Sequence, residues 1–239
     1  CFIGAMTLGI WVLPGGAFAA EPTAAATPIP LTEDADTEMF HGLSPEDVLK
    51  VAGQPLEFAP GLTKASQTLH LRPTEEKQTC ASFSLKPYLM EGTVEIWFYP
   101  DEDSPLASNR CLVNLGTAGN AKWRIELRTK GLIGVAVSKE KTFHFGNAQV
   151  APNQWHHAAL TWSPEKTAKL YLDGEQVAES ENSLTVYGAA NDFLTVGDTP
   201  DWSQELGYGW HWSTNNFVGR LADLRVSRVA RKEFKVFKK

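Results

Sequence analysis

The stretch QWHHAALTWSPEKTAKLYLDGEQVAE, from Gln154 to Glu179, admits few folds. It reads as two β-hairpins in series. His157 to Trp162 run into a Ser163-Pro164 turn, Ala168 to Leu172 follow, and Asp173-Gly174 reverses the chain into Glu175 to Ser180. Asp-Gly between two such runs is a strong hairpin signal, because a two-residue type I′ turn needs positive φ at both central positions. The centre of the chain is therefore expected to be antiparallel sheet.

The residues around it agree. Strands are predicted at Thr68 to Leu71, Ala81 to Lys86, Thr93 to Tyr99, Cys111 to Leu115, Trp123 to Thr129, Leu132 to Ser138, Thr142 to Phe145, Phe193 to Val196 and Phe217 to Ser227. Short strands at this spacing, with no helical period between them, argue for an all-β antiparallel two-sheet sandwich. Val94, Ile96 and Phe98 alternate with Glu95, and Trp123, Ile125 and Leu127 with Arg124, Glu126 and Arg128. Each pattern suits a strand with one face in a core.

Ahead of the sandwich, residues 1–20 are apolar from Phe2 to Leu13, break at Pro14-Gly15-Gly16 and end in Ala17-Phe18-Ala19. That is the pattern of a secretory signal peptide whose charged start is missing. The apolar run is shorter than the roughly 20 residues a spanning helix needs, so no membrane insertion is expected. Residues 21–43, rich in Pro, Ala and Thr and then in acids, read as a linker with too little apolar surface to fold. Over 44–54, Ser44-Pro45-Glu46-Asp47 supplies a cap and an acidic first turn, predicting a short N-terminal helix closed by Gly53. The sandwich domain is then placed at 55–239. Expected localisation is secreted, periplasmic or cell surface.

Of three cysteines, Cys80 and Cys111 lie beyond the signal. Two is the right count for one disulfide in an exported protein, worth about 3–4 kcal/mol by loop entropy, with two thiols as the alternative. A net charge of −6 gives no basic surface for nucleic acid. The basic C-terminus (Arg228, Arg231, Lys232, Lys235, Lys238, Lys239) reads as a solvated tail rather than an anion site.

Three segments together carry a resemblance. Trp155-His156-His157-Ala158-Ala159 followed by Leu170-Tyr171-Leu172-Asp173-Gly174, Gly92 to Pro100 (GTVEIWFYP), and Phe217 to Val226 (FVGRLADLRV) are similar, in order and spacing, to LamG-like jelly-roll domains of the concanavalin A-like lectin/glucanase superfamily. The resemblance covers roughly Pro55 to the end. It implies a concanavalin A-like jelly roll and gives His157 a structural role. It also implies a Ca²⁺ site at the sandwich rim, for which Asp192, Asp198 and Asp201 are candidates by loop position. The family's early acidic stretch has no clear counterpart at Leu56 to Leu71.

Hydrolases of this fold carry carboxylates two residues apart, on one face of a strand. No such run occurs, since Glu95 has no acidic partner at position 97. His156 and His157, adjacent on a strand, point to opposite faces and cannot jointly hold one ion. Nucleophile-elbow, zinc and phosphate-loop motifs are absent from the sequence. The most unusual composition is the loop from Asp198 to Asn216, with Trp202, Tyr208, Trp210, His211 and Trp212. Aromatic planes flanked by polar side chains suit the apolar face and hydroxyl rim of a sugar, and loops on rigid scaffolds commonly carry binding. The alternative is that these rings fold back over one end of the sandwich.

The expectation is thus a non-catalytic, exported, lectin-like domain that recognises a glycan or glycoprotein surface. A structural or adhesive protein-interaction module of a larger protein is the alternative, with neighbouring domains as partners. A divergent glycan hydrolase or lyase is the third reading.

Overall fold

The computed structural model describes residues 27–43, 50–53, 56–62, 67–72, 79–84, 89, 91–101, 110–115, 123–128, 131–137, 142–163, 167–180, 193–197 and 217–238. Two antiparallel sheets face each other. One runs in the order β11 (Thr142–Ala148), β10 (Gly131–Val137), β9 (Trp123–Arg128), β8 (Arg110–Leu115), β15 (Phe193–Val196), β6 (Thr79–Ser84) and β3 (Lys50–Gly53). The other runs β14 (Glu175–Ser180), β13 (Ala168–Leu172), β12 (His156–Trp162), β7 (Gly92–Pro100), β16 (Gly219–Ser227), β5 (Gln67–Leu71) and β4 (Glu57–Pro60), with β2 (Thr37–His41) also paired to β16. A separate ribbon joins β1 (Thr27–Pro28) to β17 (Phe237–Lys238).

The alternation read from the sequence selects the core. Val94, Ile96 and Phe98 of β7 and Ala158, Leu160 and Trp162 of β12 meet Trp123, Ile125 and Leu127 of β9. Trp123 and Trp162 lie 5.0 Å apart, centroid to centroid, and join the two sheets. Burying side chains of this size contributes about 1.5–3 kcal/mol each.

The central hairpins form as expected. Asp173 and Gly174 have φ of 54° and 89°, both in the left-handed region a type I′ turn requires. Asp173 does more than turn the chain. Its Oδ1 accepts the His157 backbone N–H at 2.8 Å, its Oδ2 lies 2.7 Å from His156 Nδ1, and its own N–H donates to the His157 carbonyl at 2.8 Å. One carboxylate thus ties the start of β12 to the far end of β13.

Both chain ends depart from the expectation. The presumed linker, from Thr27 on, carries β1 and β2, and buries Leu31 and Leu43. The C-terminus buries Val236 and joins the same layer, while its charged residues Arg228, Lys232 and Lys235 stay exposed to solvent. Leu31, Trp97, Ala222 and Val236 form a second apolar cluster, with Phe40, Leu62, Trp155, Phe234 and Phe237 packed on it. Composition alone misses this, because neither end can fold alone but each finds apolar surface waiting on the sheet. Likewise Lys50–Gly53, read as the end of a helix, is a strand paired with β6. A helix so short is marginal in water, whereas the exposed edge of β6 offers ladder hydrogen bonds. Residues 44–49 lie outside the described residues, and no helix occurs among those described.

Cys80 and Cys111 are both buried thiols, contrary to the expected disulfide. Strand β15 lies between β6 and β8. Two strand spacings separate the cysteines by roughly 10 Å, beyond the roughly 7 Å that a bridge can span.

Candidate functional site

Four strand ends converge at one end of the sandwich. Register puts Pro100, the end of β7, opposite Gly219, the start of β16, and Gly219 in turn opposite Leu71, the end of β5. Strand β12 begins beside them, with His156 opposite Phe98. Gly219 is required here: φ is 141°, and a Cβ would collide with the Tyr99 carbonyl oxygen.

The aromatic loop is rooted at this end. Phe217 N–H donates to the Gly197 carbonyl at 2.7 Å, so the two ends of residues 198–216 are pinned together. Asp101 N–H donates to the Val218 carbonyl at 3.4 Å, and Asn153 N–H to the Pro100 carbonyl at 2.9 Å. Trp202, Tyr208, Trp210, His211, Trp212, Asp192, Asp198 and Asp201 lie outside the described residues.

Beside that root, register lines up Tyr99, Arg220, His70 and Glu57 across β7, β16, β5 and β4, on the face away from the core. The Arg220 guanidinium lies over the Tyr99 ring, 4.7 Å from its centroid. Trp155 meets the same ring edge-on at 5.6 Å. His70 Nε2 lies 3.1 Å from Asp101 Oδ2 and 3.2 Å from Arg72 Nε. That nitrogen serves one neighbour at a time: protonated it donates to Asp101, and bare it accepts from Arg72. The strip therefore combines half-buried aromatic faces with a chain of polar groups held on rigid strands.

The two central histidines separate as strand geometry demands. His156 stacks on Phe98 at 5.5 Å, and its Nε2 lies 3.0 Å from the Ala151 carbonyl oxygen and 3.2 Å from Gln154 Nε2. His157 is fully buried on the opposite face, 3.2 Å from Glu95 Oε2. Arg225 Nε and Nη2 donate to Glu95 Oε1 at 2.9 and 2.8 Å. Burial pushes the Glu95 carboxyl up, but the close approach of His157 and the charge and bonds of Arg225 outweigh it and hold the group below its ordinary value. Arg231 bonds Asp34 at 2.6 Å, which pulls that carboxyl down to about 2 against the opposing effect of burial. Arg225 also donates to the Thr32 carbonyl at 2.7 Å. This network fastens the segments around Asp34 and Arg231 to the sheet and leaves the Glu95 side chain buried.

Among the described residues no group of three or more His, Cys, Asp or Glu side chains is arranged to hold a metal ion. No described helix is long and apolar enough to cross a membrane. The strip of Tyr99, Arg220, His70 and Trp155 was not foreseen from the sequence. Tyr99, Arg220 and His70 are joined by strand register and Trp155 by a ring contact, and the one local signal is the alternation of Trp97 with Tyr99 on the non-core face of β7.

The model of the concanavalin A-like lectin/glucanases superfamily designated Laminin_G_3 matches residues 78–236. Among solved structures, the chain is similar to domain 4 of AbnA, an extracellular GH43 arabinanase of Geobacillus stearothermophilus, in complex with arabinotriose. The TM-score is 0.57 at 16% identity, covering 87% of this chain and 95% of that one. The endo-β-1,4-glucuronan lyase of the fungus Trichoderma reesei gives 0.56 at 15% identity, covering 80% and 95%. The receptor binding domain of botulinum neurotoxin D gives 0.57 at 11%, covering 82% of this chain and 50% of that one. At such identities the likeness is one of fold. A search of curated proteins finds no match.

Proposed function

Since this chain belongs to the concanavalin A-like lectin/glucanases superfamily, we propose that it is an exported carbohydrate-binding domain that recognises a glycan without transforming it. Its contact region is the loop bearing Trp202, Tyr208, Trp210, His211 and Trp212, together with the strip at its root. One observation carries this reading: the ends of that loop are pinned by the Phe217–Gly197 hydrogen bond beside Trp155, Tyr99, Arg220 and the His70–Asp101 pair. Sugars present an apolar face and a hydroxyl rim, and this end of the molecule offers aromatic faces and fixed polar groups to match.

Among the described residues, the mid-strand carboxylates favour binding over catalysis. Glu95 and Glu126 lie on different sheets, and each is tied to arginine. Neither forms the facing pair that glycoside hydrolysis uses. The fold likeness to a domain solved with arabinotriose supports carbohydrate as the ligand class.

Affinity electrophoresis tests the reading. Migration through gels containing arabinan, xylan or galactan is expected to be retarded by at least one polymer, and Trp155→Ala to reverse most of that retardation. Equal mobility in every gel would overturn the proposal and favour a protein-interaction module.

A further inference from the structure

A second polar strip crosses the other sheet and is not used by the site above. On β9, Arg124, Glu126 and Arg128 alternate with the core residues Trp123, Ile125 and Leu127, so all three point outward. Glu126 is buried between the arginines. Arg124 Nη1 donates to Oε1 at 3.3 Å, and Arg128 Nε and Nη2 both donate to Oε2 at 3.4 Å. Arg124 Nε continues the line to Asn114 Oδ1 on β8 at 3.0 Å, and Asn114 Nδ2 donates to Thr195 Oγ1 on β15 at 3.3 Å. In the other direction, register carries the row from Arg124 through Val135 to His144 on β11, which is exposed.

Among the described residues of this strip the charges do not balance. One buried carboxylate faces two guanidinium groups, and the Arg128 side chain is 33% exposed. Each guanidinium has five N–H donors, more than its bonds to Glu126 and Asn114 use. At the exposed His144, partial desolvation comes first and the charges of Arg128 and Arg124 add to it, holding the imidazole below its ordinary value against the opposing pull of Glu126. Strand β10, lying between, carries no titratable side chain (GLIGVAV). On the far side of β11, β14 contributes Glu175 and Glu179, with Ala178 packed toward Gly146. The strip is thus a positive, rigid, partly open surface with a planar fork at each arginine, the geometry that carboxylates match bidentately.

We infer that Arg124, Arg128 and His144 form a second binding site, which takes the carboxylate of an acidic saccharide such as a uronic acid residue. The choice of a saccharide as the carrier rests on the carbohydrate-binding reading, while the preference for an anion stands on the strip alone.

The test is NMR observation of the His144 imidazole in the intact chain, titrated with trigalacturonate, with arabinotriose and with inorganic sulfate. Trigalacturonate is expected to shift the His144 signals saturably and to raise its titration midpoint by about one unit, as an added neighbouring charge does. Arabinotriose is expected to leave both unchanged. Arg128→Gln is expected to weaken the response at least tenfold, and Arg128→Lys, which keeps the charge but loses the fork, to restore only part of it. A silent His144 at millimolar trigalacturonate would overturn the inference, with or without variants. So would an equal response to sulfate at the same concentration, which means an adventitious ion only. The Trp202, Trp210 and Trp212 triple alanine variant is expected to keep the His144 response. Loop-dependent glycan binding with a silent His144 would sink this site and spare the proposed function; the converse result would sink the proposed function and spare the anion site.

Discussion

Glu95 and Glu126 sit at matching places in the two sheets. Each lies in mid-strand, points away from the common core, has a side chain 1% exposed and is held by arginine. What surrounds them differs. Over Glu95 the two chain ends close down, adding Asp34, Arg231, Leu31, Phe234 and Val236 around Arg225 and His157. Over Glu126 the arginines themselves are the cover, and an exposed histidine stands in line with them. The same pairing is therefore a lock on one sheet and a surface on the other. A buried ion pair says little about function until what lies above it is known.

The sharpest way to break this contrast is to remove the two carboxylates separately. Glu95→Gln leaves Arg225 charged beneath the terminal layer and is expected to cost roughly 3–5 kcal/mol in urea unfolding. Glu126→Gln leaves arginines that can turn to water, and is expected to cost about 2 kcal/mol. Equal losses would mean that the terminal layer does not seal Glu95.

The next effect is pH dependence at the seam of that layer. Asp223, at φ 45°, marks where β16 changes partner from β5 to β2, and its carboxylate accepts the Leu31 N–H at 2.8 Å. Burial raises its pKa to about 6, with the Leu31 bond and Arg225 opposing. A group whose folded pKa is raised binds its proton more tightly in the native state. Its effect on stability is most favourable below its ordinary value of 3.8 and is lost as pH climbs to about 6. The loss amounts to about 3 kcal/mol at most. Asp223→Asn is expected to abolish that decline in a series of unfolding curves from pH 4 to 7. An undiminished decline in the variant would reject the assignment. Glu95 and Asp34, whose pKa values are lowered, act in the opposite sense: their contributions vanish as pH falls below the ordinary carboxylate range.

A smaller effect is expected from Val236→Ala, about 2 kcal/mol for two buried methyl groups beneath the C-terminal ribbon. No change would indicate that Val236 is not packed on the sheet. The smallest is none: reduction should leave the unfolding midpoint where it was, because Cys80 and Cys111 are thiols separated by β15. A fall on adding reductant would contradict the strand order.

The sequence made the sandwich legible because its information is local. Period-two alternation in 94–98 and 123–128 and the Asp173-Gly174 turn each depend on neighbours in the chain. What escaped depends on distant partners. Leu31 follows a proline-rich stretch and Val236 sits among lysines, so composition pointed to solvent although Ile29 with Leu31 and Phe234 with Val236 alternate over a few residues. His70, Tyr99 and Arg220 come together through register, and Trp155 joins them through its ring contact with Tyr99. Position 51, a plausible helix site by its own neighbours, became a strand because the edge of β6 was open to it. The aromatic loop was conspicuous by composition, and the structure adds where its two ends are fixed.

The most direct test of carbohydrate recognition is tryptophan fluorescence of the chain titrated with a panel of neutral and acidic polysaccharides, with and without calcium. A saturable change in the parent, lost in a folded Trp202, Trp210 and Trp212 triple alanine variant, is the predicted result. A flat response across the panel, or a response the triple variant retains in full, would contradict a glycan site on that loop.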